Sequence, residues 1–163
     1  MTLDLVIRKF NPSDVDDLIA LVDENQPGAV AEDKVLSDKF ILDYANNPSS
    51  LTYFVAEDNG KLIGYVEGLP VKDFDKDDPL LKNVNNPSES YYCQEIFVSD
   101  LHRGEKISKK LYQSIIDYAI DEGYKEIIAV VSAKNINSLY LHKSLKMKEE
   151  PLRESIIFKK QLI

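Results

Sequence analysis

Tyr91-Tyr92-Cys93-Gln94-Glu95-Ile96-Phe97-Val98 and, further on, Ile127-Ile128-Ala129-Val130-Val131 are the two runs whose reading decides the fold. The first is aromatic and β-branched enough for a strand, and the second is a continuous apolar run of the kind buried on both faces. Between them Ile107, Leu111, Ile115, Tyr118, Ala119 and Ile120 recur at helical spacing, and Gly123 stands where a left-handed C-cap is wanted. Strand, turn, helix and strand in about forty residues is the length of a βαβ unit, whose parallel crossover is right-handed.

The turn that opens this helix is unusually basic. His102, Arg103, Lys106, Lys109 and Lys110 crowd it in a chain whose formal charge is -8 with 20 basic residues. A helix N-terminus already carries about half a positive charge and disfavours cations. An anion would resolve the conflict, since free N–H groups beyond the carboxyl end of a parallel strand form a phosphate site. A solvated helix face is the other reading of the same spacing.

Arg103-Gly104-Glu105-Lys106-Ile107-Ser108 resembles the Gln/Arg-x-x-Gly-x-Gly/Ala pyrophosphate loop of the GNAT superfamily of acyl-CoA N-acyltransferases. Glu95-Ile96-Phe97-Val98 stands where that family has the acidic-apolar-apolar-Val end of the preceding strand. Arg103 and Gly104 fit, Lys106 replaces the usual glycine, and Ser108 replaces the second small residue. A lost glycine matters if the position needs a left-handed φ or has no room for a Cβ. Lys106 either weakens cofactor binding or supplies an ammonium to the same phosphates. Ala56 to Tyr65 resembles the family's second and third strands. Asn135 to Met147 is similar to its Asn-x-x-Ala-x-x-Leu-Tyr-x-x-x-Gly-Phe stretch, with His142 in the tyrosine slot, Lys146 in the glycine slot and Met147 in the phenylalanine slot.

The resemblance covers nearly the whole chain in element order. It implies an α/β fold (α+β by some schemes), the GNAT acyl-CoA N-acyltransferase fold, as one domain over residues 1–163. In that fold a central twisted mixed sheet of six to seven strands is flanked by about four helices. The cofactor would enter where the strand ending at Val98 splays from the one starting at Glu126. Ile96, Phe97, Val98, Arg103, Gly104, Lys106, Ile107, Ser108 and Asn135 are the positions the resemblance places along acetyl-CoA, the co-substrate, with no metal. A small-molecule amine is the implied acceptor, and the family's habit of dimerising leaves a homodimer open.

The rest of the sequence supplies the other elements. Asp4 to Phe10 reads as a first strand ended by Asn11-Pro12, and Ser13 as the cap of a helix with Val15, Leu18, Ile19 and Val22 inward. A second helix is expected from about Asp33 to Ala45, with Val35, Leu36, Phe40, Ile41 and Tyr44 inward, stopped by Asn46-Asn47-Pro48. The family builds a wall of its acceptor pocket from these helices, so the loop near Gln26-Pro27-Gly28 is a candidate substrate contact. Asp58-Asn59-Gly60 marks a hairpin between Leu51–Glu57 and Lys61–Val71, and Gly64 inside a strand implies a close neighbour. Glu67 reads as an exposed strand carboxylate, with a pocket-lining role as the alternative. Lys72 to Ser90, carrying Asp73, Asp75, Asp77 and Asp78, is long for a connection and reads as a lid, a binding loop or disorder. A short helix to about Leu145 and a strand from Glu154 to Lys160 end the chain.

Composition narrows the class. The length of 163 residues suits one domain, and 44% hydrophobic with 29% charged residues is ordinary for a globular protein. No apolar run approaches the roughly 20 residues of a membrane span, and the N-terminus lacks a signal peptide's pattern, so a cytoplasmic protein with no membrane partner is expected. The lone Cys93, inside a core strand, reads as buried filler rather than a nucleophile. A pI near 4.8 argues against nucleic-acid binding and suits a cationic acceptor.

Acyl transfer to nitrogen sets chemical demands on these residues. An ammonium of pKa about 10.4 must lose a proton before it can attack. Glu95, on the strand beside the implied thioester, is the first candidate to receive that proton, and Glu67 the second. The family stabilises the developing oxyanion with the backbone N–H at the position of Val98. His142 and Tyr140 compete to return a proton to sulfur. Two residues apart, they point roughly 200° from one another on a helix, and register favours His142. The expected reaction is transfer of an acetyl or other short acyl group to a primary amine by direct attack in a ternary complex. A GNAT-fold acyl-CoA-binding or regulatory domain without transfer, and a structural α/β domain without a CoA site, are the alternatives.

Overall fold

A computed structural model of the chain describes residues 4–25, 31–46, 51–104 and 106–163, with side chains 31–37 and 40 also outside the description. The Gln26-Pro27-Gly28 loop, the inward positions Val35, Leu36 and Phe40, and the stop at Asn47-Pro48 lie outside the described residues. Among the described residues seven strands form a mixed sheet in the order β1-β2-β3-β4-β5-β7-β6, accompanied by four helices. The chain divides into two compact units.

The first unit comprises the residues up to Glu67 together with Glu95–Ser114. Its strand β1 (Leu5–Lys9) runs antiparallel to β2 (Thr52–Asp58), with Leu5 opposite Asp58. The hairpin between β2 and β3 (Lys61–Pro70) turns on Asn59 and Gly60, which both take positive φ, as a two-residue type I′ loop requires. The cap before helix α1 (Val15–Asn25) is Asn11 rather than the expected Ser13. A short 3-10 turn, Pro12–Asp14, intervenes, in which the Ser13 N–H donates to Asn11 Oδ1 and the Asn11 N–H to Asp14 Oδ2. The Arg8 guanidinium, 2.7 Å from both Asp14 and Glu57, holds the Asp14 carboxyl below its usual range and ties β1, β2 and this turn together.

Helix α1 and helix α2 (Ala31–Asn46) cover an aromatic core. Leu18, Leu21, Val22, Ile41 and Tyr44 are buried, Leu21 being one the periodicity did not single out. Rings follow one another from Tyr44 to Tyr53 (5.2 Å between centroids), Tyr65 (6.4 Å) and Phe97 (6.0 Å). Gly64 is required by close approach: a Cβ there would lie 2.8 Å from the Phe97 carbonyl oxygen.

The second unit comprises Gly68–Gln94 and Ile115–Ile163. Within it β4 (Ser90–Val98) begins parallel to β5 (Glu126–Ser132), with Ser90 to Tyr92 opposite Glu126 to Ile128. β7 (Ser155–Gln161) runs antiparallel to β5 and pairs on its other side with β6 (Lys148–Leu152), a strand absent from the sequence expectation. Charges and Pro151 hide β6, but both are normal for an edge strand. Lys159 anchors it through Glu150 at 2.7 Å and the Asn83 carbonyl at 2.6 Å. The aspartate-rich segment is ordered by three 3-10 turns, and its Val71, Leu80 and Val84 share a core with Ile128 and Ile157.

Helix α3 (Ile107–Asp121) buries Ile107, Leu111, Tyr112, Ile115, Ile116 and Ala119, whereas Ile120, expected inward, is exposed. It ends in a Schellman motif: Gly123 takes φ +85°, and the Tyr124 and Gly123 N–H groups donate to the Ala119 and Ile120 carbonyls. Helix α4 (Ile136–Ser144) is capped by Asn135, whose side chain accepts from the Ser138 N–H.

Candidate active site

Glu95 sits half-buried on β4 with both carboxylate oxygens occupied. Asn25, the last residue of α1, donates from Nδ2 to Oε1 at 2.7 Å, and the Tyr65 hydroxyl donates to Oε2 at 3.0 Å. The same Asn25 Nδ2 lies 3.2 Å from the Tyr65 oxygen, so three side chains fix one another. Burial, reinforced by the negative charge of Glu95, pushes the Tyr65 hydroxyl well above tyrosine's ordinary range, which keeps it a donor.

Glu67 is not the exposed carboxylate that its place in the sequence suggests; its exposure is 8%. The reason is that β3 is covered on both faces from Leu62 to Gly68, so no side of it is solvated. Burial raises Glu67 to about 7, the Tyr53 hydroxyl opposes this by donating a hydrogen bond, and the charge of Glu95 adds to the rise. Tyr53 is itself pushed up by burial and by Glu67. Glu67, Tyr53 and Tyr65 are thus all pushed up by burial beside the charge of Glu95. The sequence analysis missed Asn25, Tyr53 and Tyr65; the in-phase pair Tyr65 and Glu67, within an otherwise apolar run, was the available signal for part of it.

The same unit holds the basic loop. After Val98 the Ser99 N–H donates to the Ile63 carbonyl and its hydroxyl to Glu24 at 2.8 Å, which pins the exit of β4. Arg103, exposed, pairs with Asp100 at 2.6 Å. Gly104 takes φ +86° and Lys106 takes φ +60° immediately before Ile107 opens α3, and both are exposed. Lys106 therefore keeps the left-handed backbone that a glycine supplies. Ile107 is buried and Ser108 half-buried. Lys146, in the other glycine slot, behaves alike, with φ +56° at the end of α4, where its N–H and that of Met147 donate to Lys143 and His142 carbonyls. Lys146→Gly is expected to raise stability by up to about 1 kcal/mol, the αL penalty less the entropy glycine adds to the unfolded chain. The urea midpoint reads this, and an unchanged midpoint would mean the lysine side chain compensates.

The second unit carries the two residues of α4 weighed as proton donors. His142 is 2% exposed, stacks on Phe158 with centroids 4.9 Å apart, and gives its Nδ1 hydrogen to the Ser138 carbonyl at 2.7 Å. Burial pushes its pKa below 6.5, so the ring is neutral at pH 7. Tyr140 is 76% exposed. Asn135 spends its side chain on the cap. In the same unit Asp73, Asp75 and Asp78 line a pocket of about 620 Å³ with Phe74 and Tyr92. Cys93 is buried, as expected. Among the described residues no helix is long and apolar enough to cross a membrane, and no group of three or more His, Cys, Asp or Glu could hold a metal ion.

Among the described residues a mixed seven-stranded sheet of this order is accompanied by four helices, with a basic turn ahead of α3. The sequence profile of the acetyltransferase (GNAT) family matches residues 16–147. Human N-acetyltransferase 8B is 31% identical over 97 residues, which span 60% of this chain and 38% of that protein. The match thus covers well under half of the curated relative. Among solved structures, PaiA N-acetyltransferase of Thermoplasma acidophilum in complex with coenzyme A superposes with a TM-score of 0.72 at 16% identity over 99% of both chains. NAA60 of Arabidopsis thaliana in complex with acetyl-CoA gives 0.74 at 16% identity, over 97% of this chain and 98% of that one. At such identities these two structures speak for the fold. The family match speaks for the lineage, and the chain belongs to the acetyltransferase (GNAT) family.

Proposed function

We propose that the chain is an N-acetyltransferase that moves an acetyl or other short acyl group from acyl-CoA to a primary amine by direct attack in a ternary complex. The observation that carries this reading is Glu95, held on both oxygens by Asn25 and Tyr65 in the unit that also presents Arg103, Gly104 and Lys106 at the start of α3. Glu95 receives the proton that the ammonium must lose, directly or through water. The Val98 N–H stabilises the oxygen that becomes negative, and Ile96 and Phe97 complete the strand along which acetyl-CoA lies. The residues at the head of α3 suit a pyrophosphate: Lys106 retains the glycine-like backbone and adds a cation, and Ile107 and Ser108 begin the helix whose N–H groups face an anion. That retained backbone weighs against a loop degraded to a non-catalytic remnant. Overall the acyl group passes from sulfur to nitrogen and one proton goes to water.

Of the α4 residues we assign the return of a proton to sulfur to Tyr140, because His142 is buried with its Nδ1 hydrogen committed. The carboxylates of Asp73, Asp75 and Asp78 support an acceptor that carries positive charge, and Asn135 serves first as a helix cap.

Isothermal titration with acetyl-CoA tests the reading. Binding by the unmodified protein, weakened roughly tenfold or more in Lys106→Glu, is the expected result, because each charge-assisted contact to a phosphate contributes about 1.5–3 kcal/mol. Lys106→Gly, which keeps the backbone, should weaken binding less than the charge reversal does. Absence of binding by the unmodified protein would overturn the proposal.

A further inference from the structure

We propose that Glu67 is a positioning residue of the acyl-transfer reaction: with Tyr53 holding it, it forms a coupled pair with Glu95, and the pair rather than Glu95 alone takes the acceptor's proton. The proposal rests on the acetyltransferase reading and extends it to a residue that reading leaves unused.

A carboxylate buried in a strand covered on both faces costs stability, and groups perturbed in this way cluster at functional sites. Apolar residues fill the neighbouring positions Leu62, Ile63 and Val66, so packing alone does not call for an acid here. Among the described residues, Tyr53 on β2 and Glu95 on β4 act on Glu67, and Glu67 in turn acts on Tyr65 beside it on β3. From the helices, Tyr44 of α2 packs edge-on against Tyr53 at 5.2 Å, and α1 supplies Asn25 to Glu95 while its Glu24 binds Ser99. Glu67 lies two residues from Tyr65 on β3, on the same face, and the Tyr65 hydroxyl donates to Glu95 at 3.0 Å, so the strand brings the buried acid to the side on which Glu95 is held. Glu95, the less buried of the two, meets the amine; Glu67 is the place where the shared proton rests.

The step balances simply. The N–H bond of the ammonium breaks, its electron pair stays on nitrogen for attack on the acyl carbon, and the proton is held as one carboxylic acid between Glu67 and Glu95 until water removes it. Tyr53 and Tyr65 donate hydrogen bonds throughout and are not ionised. At a pH where the pair already holds that proton, the step has no acceptor.

The test combines a titration that needs no acceptor with kinetics that do. Carbon-13 carboxyl NMR of the full chain should show Glu67 titrating near 7 and moving to lower pH by at least about half a unit in Glu95→Gln, because the neighbouring charge has gone. With acetyl-CoA and a panel of primary amines, the acid limb of kcat/KM should fall near the same pH. In Glu67→Gln that limb should move to lower pH with a reduced plateau, and in Glu67→Asp it should return towards its original position. A Glu67 titration unmoved by Glu95→Gln, or an acid limb unmoved by Glu67→Gln, would overturn the pairing while leaving the acetyltransferase reading intact. Absence of turnover by the unmodified protein on the whole panel would overturn that reading and this proposal with it.

Discussion

Glu95→Gln is expected to lower kcat/KM for acetyl transfer by about 10²–10⁴-fold, the range that a positioned general base contributes. The substitution isolates basicity from geometry. A glutamine carbonyl oxygen accepts from Asn25 as the carboxylate does, and the Tyr65 oxygen can accept from the new amide in place of donating to it. The fold and the basic loop should therefore be unaltered, and titration should give the same acetyl-CoA affinity as the parent. Loss of turnover with intact cofactor binding is the signature of a missing proton acceptor. Retained turnover would move the base away from β4, and lost cofactor binding would show that Glu95 supports the loop instead. Tyr65→Phe separates these further, because it removes one hydrogen bond to the carboxylate without touching its charge.

How far this site could be read from the sequence depended on the range of the interaction. The hairpin at Asn59-Gly60, the C-cap at Gly123 and the buried run of β5 are local, and the residues that make them are adjacent in the chain. The contact between Asn25 and Glu95 spans 70 positions, and nothing near Asn25 marks it as a ligand of a distant carboxylate. Glu67 was misread because a period-two pattern presumes one wet face, whereas β3 has none; the run Leu62 to Val66 already argued for burial on both sides. On α4 the helical angle separated Tyr140 from His142, but only packing against Phe158 decides which of them faces inward. Lys106 and Lys146 mark a different limit: both break a glycine motif in side chain while preserving it in backbone, and φ cannot be read from residue identity alone.

The burial of Glu67 should also be visible in stability, with opposite sign to its role in turnover. Its pKa rises from 4.5 to about 7 on folding. Below about 4.5 both folded and unfolded chains hold the proton, and the group costs nothing. As pH climbs through the interval up to 7, the unfolded chain ionises first, so stability falls; above 7 both forms are ionised and the full penalty remains. A shift of that size corresponds to about 3 kcal/mol, somewhat less if water reaches the carboxylate. Glu67→Gln removes the ionisable group and leaves an amide for Tyr53. The variant should match the parent near pH 4.5 and exceed it at pH 8 by about 2–3 kcal/mol, or roughly 5–10 °C in Tm for a domain of this size. Denaturation of both proteins at the two pH values measures the difference directly. An equal offset at both would mean that Glu67 carries no buried charge, and the pairing with Glu95 would lose its physical basis. The predicted divergence would instead show a protein that gives up stability to keep an acid where a proton has to go.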